Sequence, residues 1–600
     1  MNSALPSMLH TSFVSSLQGI RDVIGEIPER ETVFMVATLD VDALATYHIL
    51  SSIYQSDRFF GTYAAVLVNN NDEITQNIES NDDKTIFFLL NCGGQYRDFQ
   101  KYKNKHFFVL DTCRPFYLCN VFTSLQEVKN VHLLVDKDED RQSRYHFVAK
   151  SFVDEYVKSA QMDGSDTSTL PFDKEAMEMV RALTINPDAN LNEDNFEEDD
   201  DLNDDKEMKD FIVNDSDDEN ENENEVESNA SDDEDGGAAS DNDSIMSDID
   251  DNYYGSTREE RVILYNNSDG FSKPSAFLLY SFLDQNSVSL SMRWAAIISI
   301  TYHFLFDRFS DSEYSDFYFK LSGDNNYKPH EKSIDGISIP LDADFIKNNW
   351  NDLNIELLRH WTIYDACLNS TLVARKFDTW TSDGIEAMKL FIADLGITLQ
   401  DAMSNWLSLP LATRENFLKR VRQKKNQYSL SSISYNSFER SYEQSFSLTA
   451  SDHVFALLGV MQIAPPQKLL SLISNSIVNA KDNKLLIEQG VTKAKQMREA
   501  MNDIFKMVME NKSYSLTANF IAIDLTSVNL SHFNIALSQN DSNWAQQGSS
   551  TNENEPLSPV AFFQLTQHFM KLVKVSYIFS QIVQHYKEQQ TDWSSPRYCH

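Results

Sequence analysis

Residues 33–50 read VFMVATLDVDALATYHIL, which combines an apolar run, a short acidic turn and an amphipathic stretch. The run Val33–Thr38 is apolar and rich in β-branched side chains, as expected of a buried strand. Leu44, Tyr47 and His48 then recur at helical spacing. A buried strand followed directly by a helix is the first half of a βα unit, so this stretch predicts an α/β fold.

Two aspartates, Asp40 and Asp42, occupy the turn. In an open α/β sheet such a turn lies at the carboxyl ends of the strands, where ligands bind. Two carboxylates at this spacing can hold a divalent metal ion through oxygen ligands. Alternatively, Asp42 caps the helix by accepting from the free N–H groups of its first turn. These eighteen residues leave both interpretations open.

Four further apolar runs extend the predicted sheet: Thr62–Val68, Lys84–Asn91, Lys105–Asp111 and Val131–Asp136. They are almost continuously apolar, as parallel strands covered on both faces should be. Helical stretches between them indicate a doubly wound sheet. Asp40, Asn91 and Asp111 each follow a strand, so we expect these three side chains to converge on one crevice.

The net charge of −40 over 600 residues is unevenly distributed. Between Glu193 and Asp251, 28 acidic residues and two lysines contribute −26, which leaves only −14 for the remainder. A general nucleic-acid-coating role is disfavoured because phosphate binding needs a basic face, although local basic grooves remain open. A chain of this length is expected to form several domains.

The five cysteines form no CxxC pair and no cluster with zinc spacing, which is typical of a reduced intracellular protein. The N-terminus lacks a signal-peptide pattern. The longest apolar run, Trp294–Phe306, is too short to cross a bilayer and predicts a buried helix.

Four parts are predicted: an α/β domain with a parallel sheet (1–190), an acidic disordered linker (191–256), a mainly helical middle region (257–450) and a smaller C-terminal α/β domain (451–600). Residues 1–30 are expected to form an amphipathic lead-in helix, with Phe13, Leu17, Ile20 and Ile24 at helical spacing. Later elements predicted from periodicity are helices at Ser275–Leu283, Ser291–Phe309, Asn348–Leu368, Gly384–Leu395, Glu415–Asn426, Lys481–Glu510 and Val560–Tyr586, and a strand at Leu516–Asp524.

The acidic linker cannot bury enough apolar surface to offset its ordering entropy. It also holds candidate phosphorylation sites, serines with an acid three residues later, although any acidic serine-containing tract would match by chance: Ser216, Ser231, Ser240 and Ser247.

One helical stretch after Pro410 is the most basic part of the chain and contains Lys419, Arg420, Arg422, Lys424 and Lys425. It is interpreted first as a solvated helix face. Contact with the phosphates of single-stranded DNA and a nuclear-import signal are the alternatives.

Several motifs carry a resemblance to known families. LDVDALA resembles the first motif of the DHH phosphoesterase superfamily, and Asp111-Thr112-Cys113-Arg114-Pro115 stands where that superfamily has D-H-H-x-P. The combination of VATLDVDAL, NCG and DT-x-RPFYLCNVF resembles the cell division control protein 45 family. Downstream stretches at 359–365, 391–396 and 451–456 agree, and the resemblance runs from about Val33 to about Met501.

This resemblance implies a nuclear factor of eukaryotic DNA replication that joins the MCM hexamer and GINS in the replicative helicase. It implies further partners among initiation and loading factors and the DNA polymerase machinery, contact with single-stranded DNA and origin chromatin, no cofactor and no membrane. In the family this region continues into further strands, whereas here the chain stops at Trp593–His600 without them, so either the sequence is truncated or this species differs.

The departures from the active superfamily imply that hydrolysis is lost. Active members hold two metal ions with aspartates and histidines, and Asp40, Asp42 and Asp111 match those carboxylates. The remaining ligand positions hold Asn91, Thr112 and Cys113, which are poor replacements. The aspartates are then expected to act as caps and as partners of Arg114. The alternative is a metal-dependent phosphoesterase or single-strand exonuclease.

Overall fold

The computed structural model describes residues 12–27, 31–38, 40–81, 85–121, 129–136, 270–284, 288–323, 331–334, 337–340, 344–442, 446–511, 514–516, 520–524 and 579–583. The chain divides into two compact units, 1–147 with 268–600, and 148–267. The second unit lies outside the described residues, as do the acidic linker and its four candidate serines. The four-part division therefore stays a prediction.

A parallel sheet is the frame of the first unit. The first seven strands are β1 (Phe13–Val14), β2 (Glu31–Ala37), β3 (Tyr63–Val68), β4 (Thr85–Leu90), β5 (His106–Leu110), β6 (Cys113–Arg114) and β7 (Val131–Leu134). All except β6 form one sheet in the order β1-β7-β5-β4-β2-β3, and every pairing in it is parallel. The predicted α/β class is confirmed, and the strands that precede Asp40, Asn91 and Asp111 are neighbours.

Helices cover this sheet, beginning with α1 (Leu17–Gly25), α2 (Val41–Ser56), α3 (Asn71–Ser80) and α4 (Leu118–Val121). The predicted lead-in helix is wrong at Phe13, which pairs with Leu133 in the sheet. Helical spacing of apolar residues was misleading there because ladder hydrogen bonds to a strand far along the chain decide the local structure.

Helices predominate in the next part of the chain, but it also contains an antiparallel sheet. Its elements are β8 (Gly270–Phe271), α5 (Ser275–Ser281), α6 (Leu290–Leu305), α7 (Asp311–Gly323), β9 (Glu331–Ile334), β10 (Ile337–Pro340), β11 (Asp344–Leu353), α8 (Ile363–Asn369), α9 (Thr371–Phe377), α10 (Ser382–Asp394), α11 (Leu399–Ala402), α12 (Leu411–Lys424), β12 (Ser434–Tyr442) and β13 (Phe446–Thr449). The helix predicted over Asn348–Leu368 is wrong in its first part, because residues 348–353 pair antiparallel with β12.

The last elements are α13 (Ala450–Ile463), α14 (Pro466–Val478), α15 (Lys484–Asn511), β14 (Tyr514–Leu516), β15 (Phe520–Asp524) and β16 (Phe579–Val583). The helix predicted over Val560–Tyr586 is wrong at 579–583, which form a strand parallel to β15. Helices α13 and α15 pack closely, since a Cβ at Gly459 would lie 1.9 Å from the carbonyl oxygen of Gly490.

Helix α6 is the centre of the hydrophobic core. It is the predicted buried helix, and all its residues from Met292 to Leu305 are buried. It packs against α2 from the sheet domain and against α13 from the last part of the chain. Polar side chains on α6 are therefore brought next to the turn that follows β2.

Candidate functional site

The carboxylate of Asp42 is the centre of a buried hydrogen-bond network. Asp42 is fully buried in the first turn of α2. Its Oδ1 accepts from the backbone N–H of Ala276 at 2.9 Å and from the hydroxyl of Ser299 at 2.5 Å. Its Oδ2 accepts from the backbone N–H of Ser275 at 2.9 Å and lies 3.3 Å from Nε2 of His303. Asp42 thus joins the sheet domain to α5 and α6.

Asn91 completes this network from the end of β4. Its Nδ2 donates to Oδ2 of Asp42 at 2.9 Å, and its Oδ1 accepts from the hydroxyl of Ser275 at 2.5 Å. Its φ of 51° places it in the left-handed region, which asparagine tolerates better than most residues. An amide donates and accepts at once, so it links a carboxylate to a hydroxyl, as an aspartate at this position would not.

The network keeps Asp42 charged despite its burial. Burial alone would raise the pKa of Asp42. The hydrogen bond and charge interaction with His303, together with hydrogen bonds from Asn91 and Ser299, lower that pKa to about 2. The carboxylate also lies at the N-terminus of α5, where two backbone N–H groups and the helix dipole favour a negative charge.

Asp40, rather than Asp42, caps α2. Its Oδ1 accepts from the backbone N–H groups of Asp42 at 2.7 Å and Ala43 at 3.3 Å. Its Oδ2 lies 3.6 Å from Nη1 of Arg308, whose side chain is only 6% exposed. The alternative in which Asp42 caps the helix is therefore wrong, and the cation observed at Asp40 is Arg308.

Arg114 lies beside the third motif. Its Nη1 donates to the backbone oxygens of Asp111 at 2.5 Å and Cys113 at 3.1 Å. The carboxylate of Asp111 accepts from the backbone N–H groups of Gly94 and Cys113, each at 3.0 Å. Burial raises the pKa of Asp111, against these two hydrogen bonds and the charge of Arg114. Thr112 is buried, and its backbone oxygen accepts from the backbone N–H of Ser272 at 2.8 Å.

The motif carboxylates do not fit a two-metal centre. A carboxylate offers about four lone-pair positions, and Asp42 receives five contacts from donor atoms of the protein itself. In Asp40 and Asp111, likewise, both carboxylate oxygens contact protein groups. Asp40 contacts a backbone N–H group and Arg308, and Asp111 contacts two backbone N–H groups. In the residues that the structure describes, no group of three or more His, Cys, Asp or Glu residues has a geometry that could hold a metal ion.

Two other family motifs meet at a second polar cluster. Arg359 Nη2 lies 2.6 Å from Oδ1 of Asp352, and Nη1 lies 3.8 Å from Oδ2 of Asp452. His360 Nε2 is 3.6 Å from the same Asp452 oxygen. Burial would raise the pKa of Asp452, but the charge and hydrogen bond of His360 and the charge of Arg359 lower it to about 2. Next in the chain, His453 Nδ1 accepts from the Trp294 indole at 2.9 Å.

Most of the basic residues of α12 bind neighbouring protein groups. Lys424 Nζ lies 2.5 Å from Oδ2 of Asp394 and donates to its backbone oxygen, while Arg420 donates to the oxygen of Leu395 at 3.1 Å. Both cations therefore stabilise the C-terminus of α10. Arg422 donates to the oxygen of Asn351 and Lys425 to the hydroxyl of Ser434. Lys419 is exposed.

Sequence reasoning missed the four residues that contact the two aspartates of the turn: Ser275, Ser299 and His303 at Asp42, and Arg308 at Asp40. They lie more than 230 positions after Asp42, and no local pattern links them to it. One signal was present, since Ser299 and His303 are polar residues four apart within the apolar run that predicts a buried helix.

Comparison with known proteins places this arrangement in a family. The family model CDC45 matches residues 33–542. The chain belongs to the CDC45 family. It is 21% identical to the cell division control protein 45 homolog of Homo sapiens over 444 residues, which cover 73% of this chain and 66% of that protein. It is 23% identical to the Schizosaccharomyces pombe homolog over 143 residues, 24% of this chain and 21% of that protein.

The fold comparison agrees. The crystal structure of CDC45 from Entamoeba histolytica matches with a TM-score of 0.53 at 15% identity, covering 94% of this chain and 83% of that one. CDC45 membership supports a role in DNA replication and the cell cycle. In the described ranges, no helix of this CDC45-family chain is long and apolar enough to cross a membrane.

Proposed function

We propose that this chain is a non-catalytic scaffold of the replicative helicase, acting in the nucleus at origins and forks. It bridges the MCM hexamer and GINS, with initiation and loading factors and the DNA polymerase machinery as further partners, and it contacts single-stranded DNA within origin chromatin. Family membership supports the role in replication. The bridging role and the named partners are expectations carried by the family resemblance.

The non-catalytic role is supported by the carboxylate of Asp42, whose lone pairs all accept hydrogen bonds from protein donors. In a two-metal hydrolase, carboxylate lone pairs point at the ions and orient an attacking water. Here the same lone pairs accept from α5, α6 and Asn91. A metal would have to displace buried protein donors and leave them without partners, which is costly. The carboxylate therefore holds the fold together.

The mechanism is one of linkage. A scaffold that binds MCM and GINS only in their active arrangement shifts the helicase toward that arrangement by its differential affinity. A rigid scaffold does this best, and the buried network around Asp42 fastens the sheet domain to α5 and α6.

The test is isolation of the tagged chain from S-phase chromatin, followed by immunoblotting for MCM and GINS subunits. Chromatin from G1 cells is the control. We expect both partners to be recovered from S-phase material. Recovery of neither partner, with the chain itself present on chromatin, would refute the bridging role.

A further inference from the structure

One long helical segment leaves the fold and returns to it at a single point. β11 and β12 are paired neighbours, with Leu353 opposite Ser434. The backbone N–H of Asn354 also donates to the backbone oxygen of Ile433 at 2.8 Å. The residues between these strands, 354–433, contain α8 to α12 and are here called the helical insertion. Its two covalent connections to the rest of the chain therefore lie side by side.

The helical insertion also contacts one face of α15. Oδ1 of Asn369, at the end of α8, accepts from Nδ2 of Asn502 at 2.8 Å. The ring centroids of Trp380 and Phe505 are 4.9 Å apart. Asn502 and Phe505, together with Arg498 one turn earlier, share a face of α15 because residues three and four apart are neighbours on a helix surface.

A buried ion pair is part of this contact. Nη2 of Arg498 is 2.9 Å from Oε1 of Glu356, and both side chains are only 7% exposed. The carboxylate of Glu356 also accepts from the backbone N–H of Thr371 at 3.1 Å and from its hydroxyl at 2.8 Å. Nη1 of Arg498 donates to the same hydroxyl oxygen at 3.1 Å. These three residues, here called the buried triad, link the start of the insertion to α9 and α15.

The backbone next to the triad is strained. Leu357 is buried and has a left-handed φ of 56°, which is unfavourable for a bulky residue. On one side of it Glu356 binds α9 and α15, and on the other side Arg359 reaches Asp352 of β11 at 2.6 Å. A strained backbone persists only where its surroundings over-determine it. Polar contacts on both sides therefore specify the path of the chain at the base of the insertion.

A buried ion pair discriminates between arrangements more than it stabilises any one of them. Its mutual attraction is offset by the loss of hydration, and replacing both partners by apolar side chains of similar volume is often neutral. Removing a single partner is costly, because a charge is then buried without compensation. Only an arrangement that pairs every buried donor and acceptor avoids this cost, whereas apolar surfaces tolerate repacking and lose uniqueness before stability.

We propose that the buried triad of Glu356, Thr371 and Arg498 positions the helical insertion by selecting one orientation of α8 to α12 on α15. The orientation matters because the insertion carries five of the ten large apolar side chains that are exposed in the part of the chain that the structure describes: Leu390, Leu399, Met403, Leu407 and Leu411. With the triad intact these side chains face one direction, and without it they are presented in several.

The test is a distance measurement by electron–electron double resonance on the full chain. Spin labels are attached to unnatural amino acids at Leu390 in α10 and Leu485 in α15, which are both exposed. The wild-type chain should give one narrow distance distribution. Arg498→Met should broaden it or add a second distance, since an uncompensated Glu356 shifts the ratio of the native orientation to the others by about 10²- to 10³-fold.

A double variant separates positioning from stability. Glu356→Met combined with Arg498→Met removes both charges and keeps apolar volume, so its urea midpoint should lie closer to the wild-type value than that of Arg498→Met alone. Its distance distribution should nevertheless stay broad, because no polar contact selects one orientation. If the triad had only a structural role, the narrow distribution would return together with the midpoint.

A milder variant and a control complete the set. Thr371→Val removes only the hydroxyl that both charged side chains contact, and it should also broaden the distribution. Lys506→Met is the matched control, because Lys506 forms an ion pair on α15 as well, with Glu510 at 3.9 Å, but both side chains are exposed. The control should keep the wild-type distribution. Circular dichroism shows which variants are folded.

Two outcomes would overturn the inference. One is a broad distribution in the wild-type chain, which would mean that the insertion has no fixed orientation to select. The other is a narrow, wild-type-like distribution in the folded variants among Arg498→Met, Thr371→Val and the double variant. Neither MCM nor GINS takes part in these measurements, so their outcome is independent of the proposed function.

Discussion

Replacing Asp42 with asparagine should destabilise the chain severely, although the two side chains have the same shape. Whichever way the new amide is oriented, its NH2 group faces donors that now bind Oδ1 or Oδ2. At least two buried donors then lose their acceptor. Breaking a buried charged network in this way costs about 3–5 kcal/mol.

The pKa of Asp42 gives a magnitude for the charged part of this cost. A carboxyl whose pKa falls from 3.8 to about 2 on folding contributes about 2 kcal/mol through its charge. Because the folded-state pKa is the lower one, this contribution is complete above pH 3.8 and is lost as the pH falls through 2. At neutral pH the substitution therefore removes all of it. Because the pKa shift comes from the same contacts with His303, Asn91 and Ser299, this amount is part of the cost of about 3–5 kcal/mol and is not added to it.

The assay is urea unfolding of the full chain, followed by circular dichroism and tryptophan fluorescence. Asp72→Asn is the matched control, since Asp72 is likewise the second residue of a helix, α3, but is exposed. The control should change the free energy of unfolding by less than about 0.5 kcal/mol. A loss in Asp42→Asn no larger than that of the control would refute the reasoning and return Asp42 to the role of a metal ligand.

Three further predictions concern other residues. His453, whose pKa is lowered to about 3 by burial and a nearby guanidinium, is neutral when folded, so stability should fall as the pH drops from about 6.5 to 3. His453→Gln, which keeps an acceptor for Trp294, should flatten that fall in urea midpoints. Gly396→Ala should cost about 1–3 kcal/mol in thermal melts, because φ is +70° and the new Cβ would lie 1.7 Å from a nitrogen of Arg420. Purified chain incubated with manganese and single-stranded DNA should show no nuclease activity. Cleavage abolished by Asp40→Ala would restore the enzymatic alternative.

The parallel sheet was predictable because its strands are buried on both faces and carry the signal locally. Continuous apolar runs located β2, β3, β4, β5 and β7 without any long-range information. The same pattern placed Asp40, Asn91 and Asp111 at strand ends, but the order of the strands in the sheet came only from the structure. β11 was missed because helical periodicity was assigned from Asn348 onward and because its partner strand lies over eighty positions away.

The partners of the motif aspartates were not predictable for the same reason. Arg114 was the nearest cation within the matching motif, and position in that motif was the only guide available. Packing of α6 against α2 brings His303 and Arg308 to these aspartates, and that contact depends on tertiary structure alone. The sequence also could not tell which basic residues of α12 have structural roles. Arg420 and Lys424 bind groups at the C-terminus of α10, and only the folded structure brings that helix end next to α12.

Binding of GINS to immobilised MCM hexamer, with and without the purified chain, tests the scaffold role most directly. The account predicts that GINS is retained only when the chain is present, and that retention needs neither manganese nor any other added metal. Equal retention of GINS without the chain, or a chain that binds neither partner, would contradict it.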